Sequence, residues 1–227
     1  MTAFATDDVW AVGEVLGVMH WDGATWSNVA HPPLEEADLH AAAGAAPDDL
    51  WIVGAQESEG AGDHAFAMHW DGTLLSVAPL PPTGADDSEL LDVAVAGPND
   101  AWAVGEMDFG DVKRTLVEHW DGHSWTIVDS PNPGADLDEL TGVGAVSAAD
   151  VWAAGTWSEG GIEHPLVVHW NGTSWTRVRA QFPDPSDTVA ALEGLTILSP
   201  SRFLAVGAHG PSDVQLQPLT EVSRRCG

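Results

Sequence analysis

Four histidines, His20, His69, His119 and His169, recur at intervals of 49, 50 and 50 residues, and each is followed directly by a tryptophan (Trp21, Trp70, Trp120, Trp170). Ahead of each pair stands an aspartate two residues before another tryptophan: Asp8 and Trp10, Asp49 and Trp51, Asp100 and Trp102, Asp150 and Trp152. Imidazoles and carboxylates are the ingredients of a metal centre or an acid–base pair. A zinc ion, however, needs several ligands converging at ~2.0–2.3 Å. Histidines on successive copies of a unit arranged around an axis diverge instead. Within one copy the same residues have a simpler task, because a buried indole N–H and a buried imidazole each need a hydrogen-bond partner. These twelve His and Trp residues are therefore expected to be structural, with no metal bound.

The remaining chemistry is acidic. The chain carries 35 Asp and Glu against 7 Lys and Arg, a formal charge of −28, and Lys113 is the single lysine. A surface this negative repels phosphate backbones and excludes nucleic acid as a partner. It equally disfavours anionic membranes, and no apolar run is long enough to span a bilayer. It suits high solubility and a basic partner or a divalent cation. Carboxylate oxygens suit calcium, yet no segment has the D-x-D-x-D-G spacing of a calcium loop; no cofactor is expected, with calcium the one ion the loops could take. The sequence has no H-E-x-x-H and no Gly-rich phosphate loop. The lone Cys226 cannot form an internal disulfide. The opening residues Met1 to Ala5 lack the layout of a signal peptide, which leaves the compartment, including a secreted or cell-surface one, unassigned.

The elements that must position these groups follow from the 50-residue period, the mark of one repeated supersecondary unit. In the unit from residue 140, Leu140 to Val146 alternates small and apolar residues, and Asp150 to Gly155 is a second short run. Leu166 to Trp170 is a third, Asn171-Gly172 offers a type I′ hairpin, and Ser174 to Val178 returns with period-2 alternation. Four short antiparallel strands per unit, with no amphipathic helix, describe a β-propeller blade. Innermost strands fall near residues 2–5, 38–45, 90–96, 140–147 and 191–198. The expectation is one all-β domain over 1–227 with blades at about 1–36, 37–87, 88–137, 138–188 and 189–227. The fifth blade is incomplete, ending on a third strand near Val214 to Leu219. The alternative is a fragment of a larger six- or seven-bladed ring. An unfinished blade leaves an edge that another chain can cover, so self-association is a further expectation.

The turns Asp22-Gly23-Ala24-Thr25-Trp26, Asp121-Gly122-His123-Ser124-Trp125 and Asn171-Gly172-Thr173-Ser174-Trp175, with the D-x-W-x-x-G and H-W strands, resemble the Trp-rich propeller repeats of the kelch, Asp-box (sialidase-type) and photosystem-assembly-factor families. They have one residue fewer between Asp and Gly than an Asp box, and the second copy has Leu75 in place of the last Trp. The resemblance implies a propeller. It does not carry over a sialidase or copper-oxidase site, because both need a tyrosine and this chain has none.

Function is then expected on the face where the long connections lie, since variable loops on a rigid scaffold hold binding sites. The connections after the D-x-W strands and between blades share that face. Their candidates are Glu57, Asp63, Asp108, Phe109, Asp111, Trp157 and Glu159. Trp157 is the one tryptophan outside the repeat slots, and an exposed Trp beside carboxylates is a sugar-stacking arrangement. The reading is a non-enzymatic binding or scaffold module for a protein or glycan. The alternative is a glycosidase- or lyase-like enzyme using carboxylates near the central channel.

Overall fold

A computed structural model describes residues 1–13, 17–34, 36–58, 62–180, 184, 186–200, 202–212 and 216–224, the side chains of 58 and 222–224 excepted. It contains β-strands and no helix among these residues. Blade one comprises β1 (Thr2–Ala5), β2 (Asp8–Gly13), β3 (Gly17–Trp21) and β4 (Trp26–Asn28); blade two comprises β5 (Ala37–Ala46), β6 (Asp49–Ser58), β7 (Gly62–Trp70) and β8 (Leu75–Val77). Blade three is β9 (Asp87–Gly97), β10 (Asp100–Asp108), β11 (Lys113–Trp120) and β12 (Trp125–Ile127), and blade four β13 (Leu137–Ser147), β14 (Asp150–Glu159), β15 (Ile162–Trp170) and β16 (Trp175–Val178). Blade five has β17 (Val189–Ser199), β18 (Arg202–Gly210) and β19 (Gln217–Arg224). Each sheet is antiparallel in chain order, four of them four-stranded and the last three-stranded. The architecture is a five-bladed all-β propeller with an incomplete fifth blade. Val214 and Gln215, at the start of the expected last strand, lie outside the described residues.

Two connections differ from the sequence reading. The segments expected as long loops after the D-x-W strands are mostly strand: β6 pairs β7 as far as Ser58 opposite Gly62, β10 pairs β11 to Asp108 opposite Lys113, and β14 pairs β15 to Glu159 opposite Ile162. The D-G turns are four-residue loops rather than two-residue type I′ turns, with Trp21 opposite Trp26 and Trp120 opposite Trp125. Only the glycine has positive φ, as at Gly122 (90°). The aspartate side chain closes the loop: Asp121 Oδ1 accepts from the His123 and Ser124 amides at 2.9 Å each. Those bonds hold the Asp121 carboxyl below the ordinary carboxylate range.

The motif glycine of D-x-W-x-x-G answers to a bulge in the neighbouring inner strand. In blades two to five the register slips past one residue, His40, Leu91, Thr141 or Glu193. A carbonyl of the bulged strand then lies over Gly54, Gly105, Gly155 or Gly207. A Cβ at Gly105 would meet the Glu89 carbonyl oxygen at 1.9 Å, which no side chain tolerates. The bulge level also stitches inner strands together: His40 Nδ1 lies 3.0 Å from the Leu90 carbonyl, and Asp92 Oδ2 accepts from the Val143 amide at 2.8 Å. Thr141 Oγ1 donates to the Leu192 carbonyl at 2.6 Å.

The core lies between blades rather than within them. Trp10, Leu39, Ile52 and Met68 pack blade one on blade two, and Trp51, Val53, Leu90 and Trp125 pack two on three. Trp102, Val104, Leu140 and Trp175 pack three on four, and Trp152, Leu192, Phe203 and Leu219 pack four on five. Burying each such side chain contributes about 1.5–3 kcal/mol. Among the described residues no comparable cluster joins blade five to blade one. At the ends the corresponding positions stay open. Trp26 is 44% exposed where Trp125 and Trp175 are buried, and Val206 is 43% exposed where Val104 and Ala154 are buried. The register places Leu204, not Phe203, in the slot of Trp152, since Thr196 faces Leu204 as Gly144 faces Trp152.

Candidate functional site

The repeated polar residues form one small network per blade. Asp8 Oδ1 lies 2.9 Å from His20 Nε2 and accepts from the Trp10 indole at 3.1 Å; Asp150 Oδ1 lies 2.8 Å from His169 Nε2 and accepts from the Trp152 indole at 3.0 Å. Asp49 pairs with His69 at 2.7 Å and Asp100 with His119 at 3.2 Å. Each imidazole also lies against the blade's own Trp, with ring centroids 4.1 Å apart for Trp102 and His119. The Trp then reaches the next blade: Trp10 meets Trp70, Trp51 meets Trp120, Trp102 meets Trp170 and Trp152 meets Phe203, at 4.7–5.3 Å between ring centroids. The H-W tryptophans anchor their own blades, Trp21 donating to Thr6 O, Trp70 to Pro47 O and Trp170 to Ala148 O. At the other end of blade five, where β17 begins and β18 ends, His209 Nδ1 lies 2.7 Å from Asp187 Oδ2, a pair that the sequence pattern did not indicate.

A different arrangement occupies the face where strands β9 and β11 begin and β10 ends. Register sets Glu106 opposite Glu89 and Asp108 opposite both Asp87 and Lys113. Two like-charged pairs in succession across a strand pair are unfavourable. Lys113 partly offsets them through an ion pair with Glu106. Burial opposes the Lys113 charge, but Glu106, and after it Glu89 and Asp108, outweigh burial and the ammonium titrates above the usual lysine range. Glu106 is only 6% exposed, and its Oε2 has no donor; Asp108 Oδ1 is likewise buried without one. The Glu89 carboxyl is raised by burial first and then by its contact with Glu106. Glu139, on the next inner strand, is raised to about 7 by burial and then by repulsion from Glu106. Asp87, Glu89, Glu106, Asp108 and Lys113 line a cleft of about 210 Å³ together with Ser88 and with Asp63 of blade two, whose amide donates to Asp87 Oδ1 at 2.8 Å. Ser88 is shared with a neighbouring groove of about 390 Å³ lined by Phe66, Val77, Leu80, Pro81 and Pro82 among others. Among the described residues no group of three or more His, Cys, Asp or Glu is arranged to hold a metal ion. Nor, among them, is any helix long and apolar enough to cross a membrane.

The residues singled out from sequence are dispersed. Asp63 and Asp108 line the acidic cleft. Glu57 is exposed opposite Asp63, its carboxyl raised by hydrogen-bond contact with Glu36 and then by that residue's charge. Phe109 (45% exposed) and Asp111 form the tip of the β10–β11 hairpin, and Glu159 is exposed at the end of β14. Trp157 lies apart, half-buried in β14 between Asp138 and His164. Its ring stacks on His164 with centroids 4.2 Å apart, and Arg177 sits 4.5 Å over it. Burial and then the Arg177 charge lower the His164 pKa. Arg114 holds the fully buried Asp138 at 2.8 Å beside them. Trp157 is thus engaged by its own chain, not presented as a bare platform. The centre of the cleft, Glu89 with Glu106, was missed. The available signal was the residue after the motif glycine: Ala55, Thr156 and Ala208 in three copies, but Glu106 in the third blade and Glu14, outside the described residues, in the first.

No protein-family model and no curated protein matches the chain. Solved structures do. The chain is similar to YCF48 bound to a D1 peptide at 14% identity and a TM-score of 0.55, over 98% of this chain and 65% of that one. It is also similar to a polysaccharide lyase of the PL25 ulvan lyase type bound to -[GlcA(1-4)Rha3S]-, at 9% identity and a TM-score of 0.56, over 91% of this chain and 58% of that one. A second structure of that lyase type gives 11% identity and a TM-score of 0.52. At these identities the likeness is one of fold. The chain spans about three-fifths of the length of these propellers.

Proposed function

We propose that this propeller is a non-enzymatic binding module that recognises a positively charged polypeptide through the acidic face of blades two and three. The observation carrying the reading is the cleft whose carboxylates outnumber its cations five to one, with Lys113 the single cation. Such a concave, one-signed lining concentrates field lines and favours a ligand of opposite charge. It works against a polyanionic saccharide of the kind bound in the lyase structure. The adjoining groove, with its Pro and Leu lining, adds apolar contact suited to a chain rather than a lone ion. The similarity to a propeller carrying a bound peptide is compatible with this use of the fold. The test is a binding panel of basic, neutral and acidic peptides, with neutral and uronate-containing polysaccharides, at about 50 and 300 mM salt. The expected outcome is capture of basic peptides, weakening with salt as screening shortens the reach of charge. Selective capture of the polysaccharides sinks it.

A glycosidase- or lyase-like reading draws on one observation, Glu139 held at about 7 beside the Glu89–Glu106 pair, a protonation state suited to acid–base work. Against it, those two carboxyls touch, whereas glycosidases separate theirs by about 5–9.5 Å. New reducing ends or unsaturated uronates released in the same panel would establish it.

We also infer self-association through the unlike ends of the blade series, supported by the exposed Trp26 at one end and Leu204 and Val206 at the other. Sedimentation of the protein should show concentration-dependent association that Val206→Glu abolishes; a monomer throughout the micromolar range overturns it.

A further inference from the structure

Resting on the acidic-face reading, the geometry points to a narrower site: we propose that the cleft beside Glu106 accepts one arginine side chain of a bound polypeptide, its guanidinium bridging Glu106, Asp108 and Asp63. Glu106 has spent Oε1 on Lys113, while Oε2 is buried without a donor. Asp108 Oδ1 is in the same condition. Unmet acceptors at this depth are costly, and here they belong to residues that line an open cleft. An ammonium is already present, so what is missing is not one more point charge but several donors in a fixed plane. A guanidinium supplies five N–H groups as a rigid fork, suited to several carboxylates at once. The cleft continues past Ser88 into the groove lined by Phe66, Val77, Leu80 and the two prolines. The site therefore selects arginine flanked by apolar residues.

Entry of the cation also moves a proton. Burial and then Glu106 favour the protonated form of Glu89, and a guanidinium in the cleft favours its charged form. Other charged groups face Glu89 as well: His40, whose Nδ1 is 3.9 Å from the Glu89 carboxylate, and Lys113. Glu139 couples in turn to Glu106, Lys113 and Glu193. Deprotonation of any of these groups makes the site more negative, so each favours a cation more as the pH rises. Binding is accordingly weaker at pH 5.5 than at pH 7.5, with net proton release.

The experiment is calorimetric titration of the full chain with capped peptides holding Arg, Lys or citrulline between apolar residues, in two buffers of different ionisation enthalpy. The arginine peptide should bind at least tenfold more tightly than its citrulline counterpart, and more tightly than the lysine one. Glu106→Gln should weaken it by tenfold or more. The exposed Asp63→Asn serves as a second variant that leaves the fold alone, and should weaken it several-fold. Asp86→Asn, outside the cleft, should change it less than twofold. Equal binding of citrulline and arginine, or indifference to both cleft variants, overturns the site. If basic peptides bind while indifferent to these changes, the acidic-face reading stands without the cleft. If no basic peptide binds, both fall.

Discussion

Carboxylates do opposite things in two regions of this propeller. In the belt between blades, Asp8 and Asp150 each hold an imidazole and an indole N–H within about 3 Å. In the cleft of blade three, Glu106 and Asp108 each keep an oxygen without a donor, beside Glu89 and Asp87 of like charge. The residue types are the same; the difference is whether the neighbours complete the hydrogen bonding. A completed set rigidifies a fold. An uncompleted one costs stability, and a sequence retains it where something else completes it. Glu118 separates the two conditions. It is fully buried with both oxygens unpartnered, like the cleft residues, but it lines neither the cleft nor the adjoining groove.

Breaking the belt should have the largest effect. Asp150→Ala strands the Trp152 indole and the His169 ring in a site where Asp150 itself is 6% exposed. A loss of about 3 kcal/mol is expected by denaturant unfolding, the cost of orphaned buried polar groups. An unchanged midpoint would mean that the belt is decoration.

Glu118 sharpens the comparison from the other side. The position before His-Trp is Met19, Met68 or Val168 in the other blades, so Glu118→Met restores the apolar slot. Burial pushes the Glu118 carboxyl up to about 8, whereas the unfolded chain ionises near ~4.3. The unfolded state therefore releases this proton first, and the native protein loses stability as pH climbs from about 4 to about 8, then levels off. Glu118→Met should gain about 2 kcal/mol at pH 7. Its advantage should be smallest near pH 4. A pH-independent difference, or a less stable variant, would show that Glu118 is held by contacts of its own.

The parts of the fold that repeat were legible in the sequence, because each copy re-reads the last: strand order, inner-strand positions and the truncated fifth blade all follow from the D-x-W and H-W phrases. The hairpin ends were not. Gln56 to Ser58 and Gly62 to His64 carry polar residues and glycine that read as loop, and pairing continues there because the twisted ribbon is held by neighbouring blades, as Asp63 is by Asp87. The cleft escaped for a related reason. Its centre is made by register, Glu89 across from Glu106, and the 16 residues between them hide the contact from a linear reading. Trp157 drew attention by breaking the pattern, and it stacks on a cross-strand partner, His164, of its own blade.

Because each blade packs only on its neighbours, the energetics of the chain are those of a row of coupled units. Blades two to four have an interface on both sides, while among the described residues blades one and five have a core on one side only. Local opening should then be cheapest at the outer blades and dearest in the middle. The acidic cleft is built on the third blade of five, with Asp63 from the second. A molecule frayed at both ends would keep the acidic cleft, so the proposed capture of a partner would outlast the loss of the outer blades.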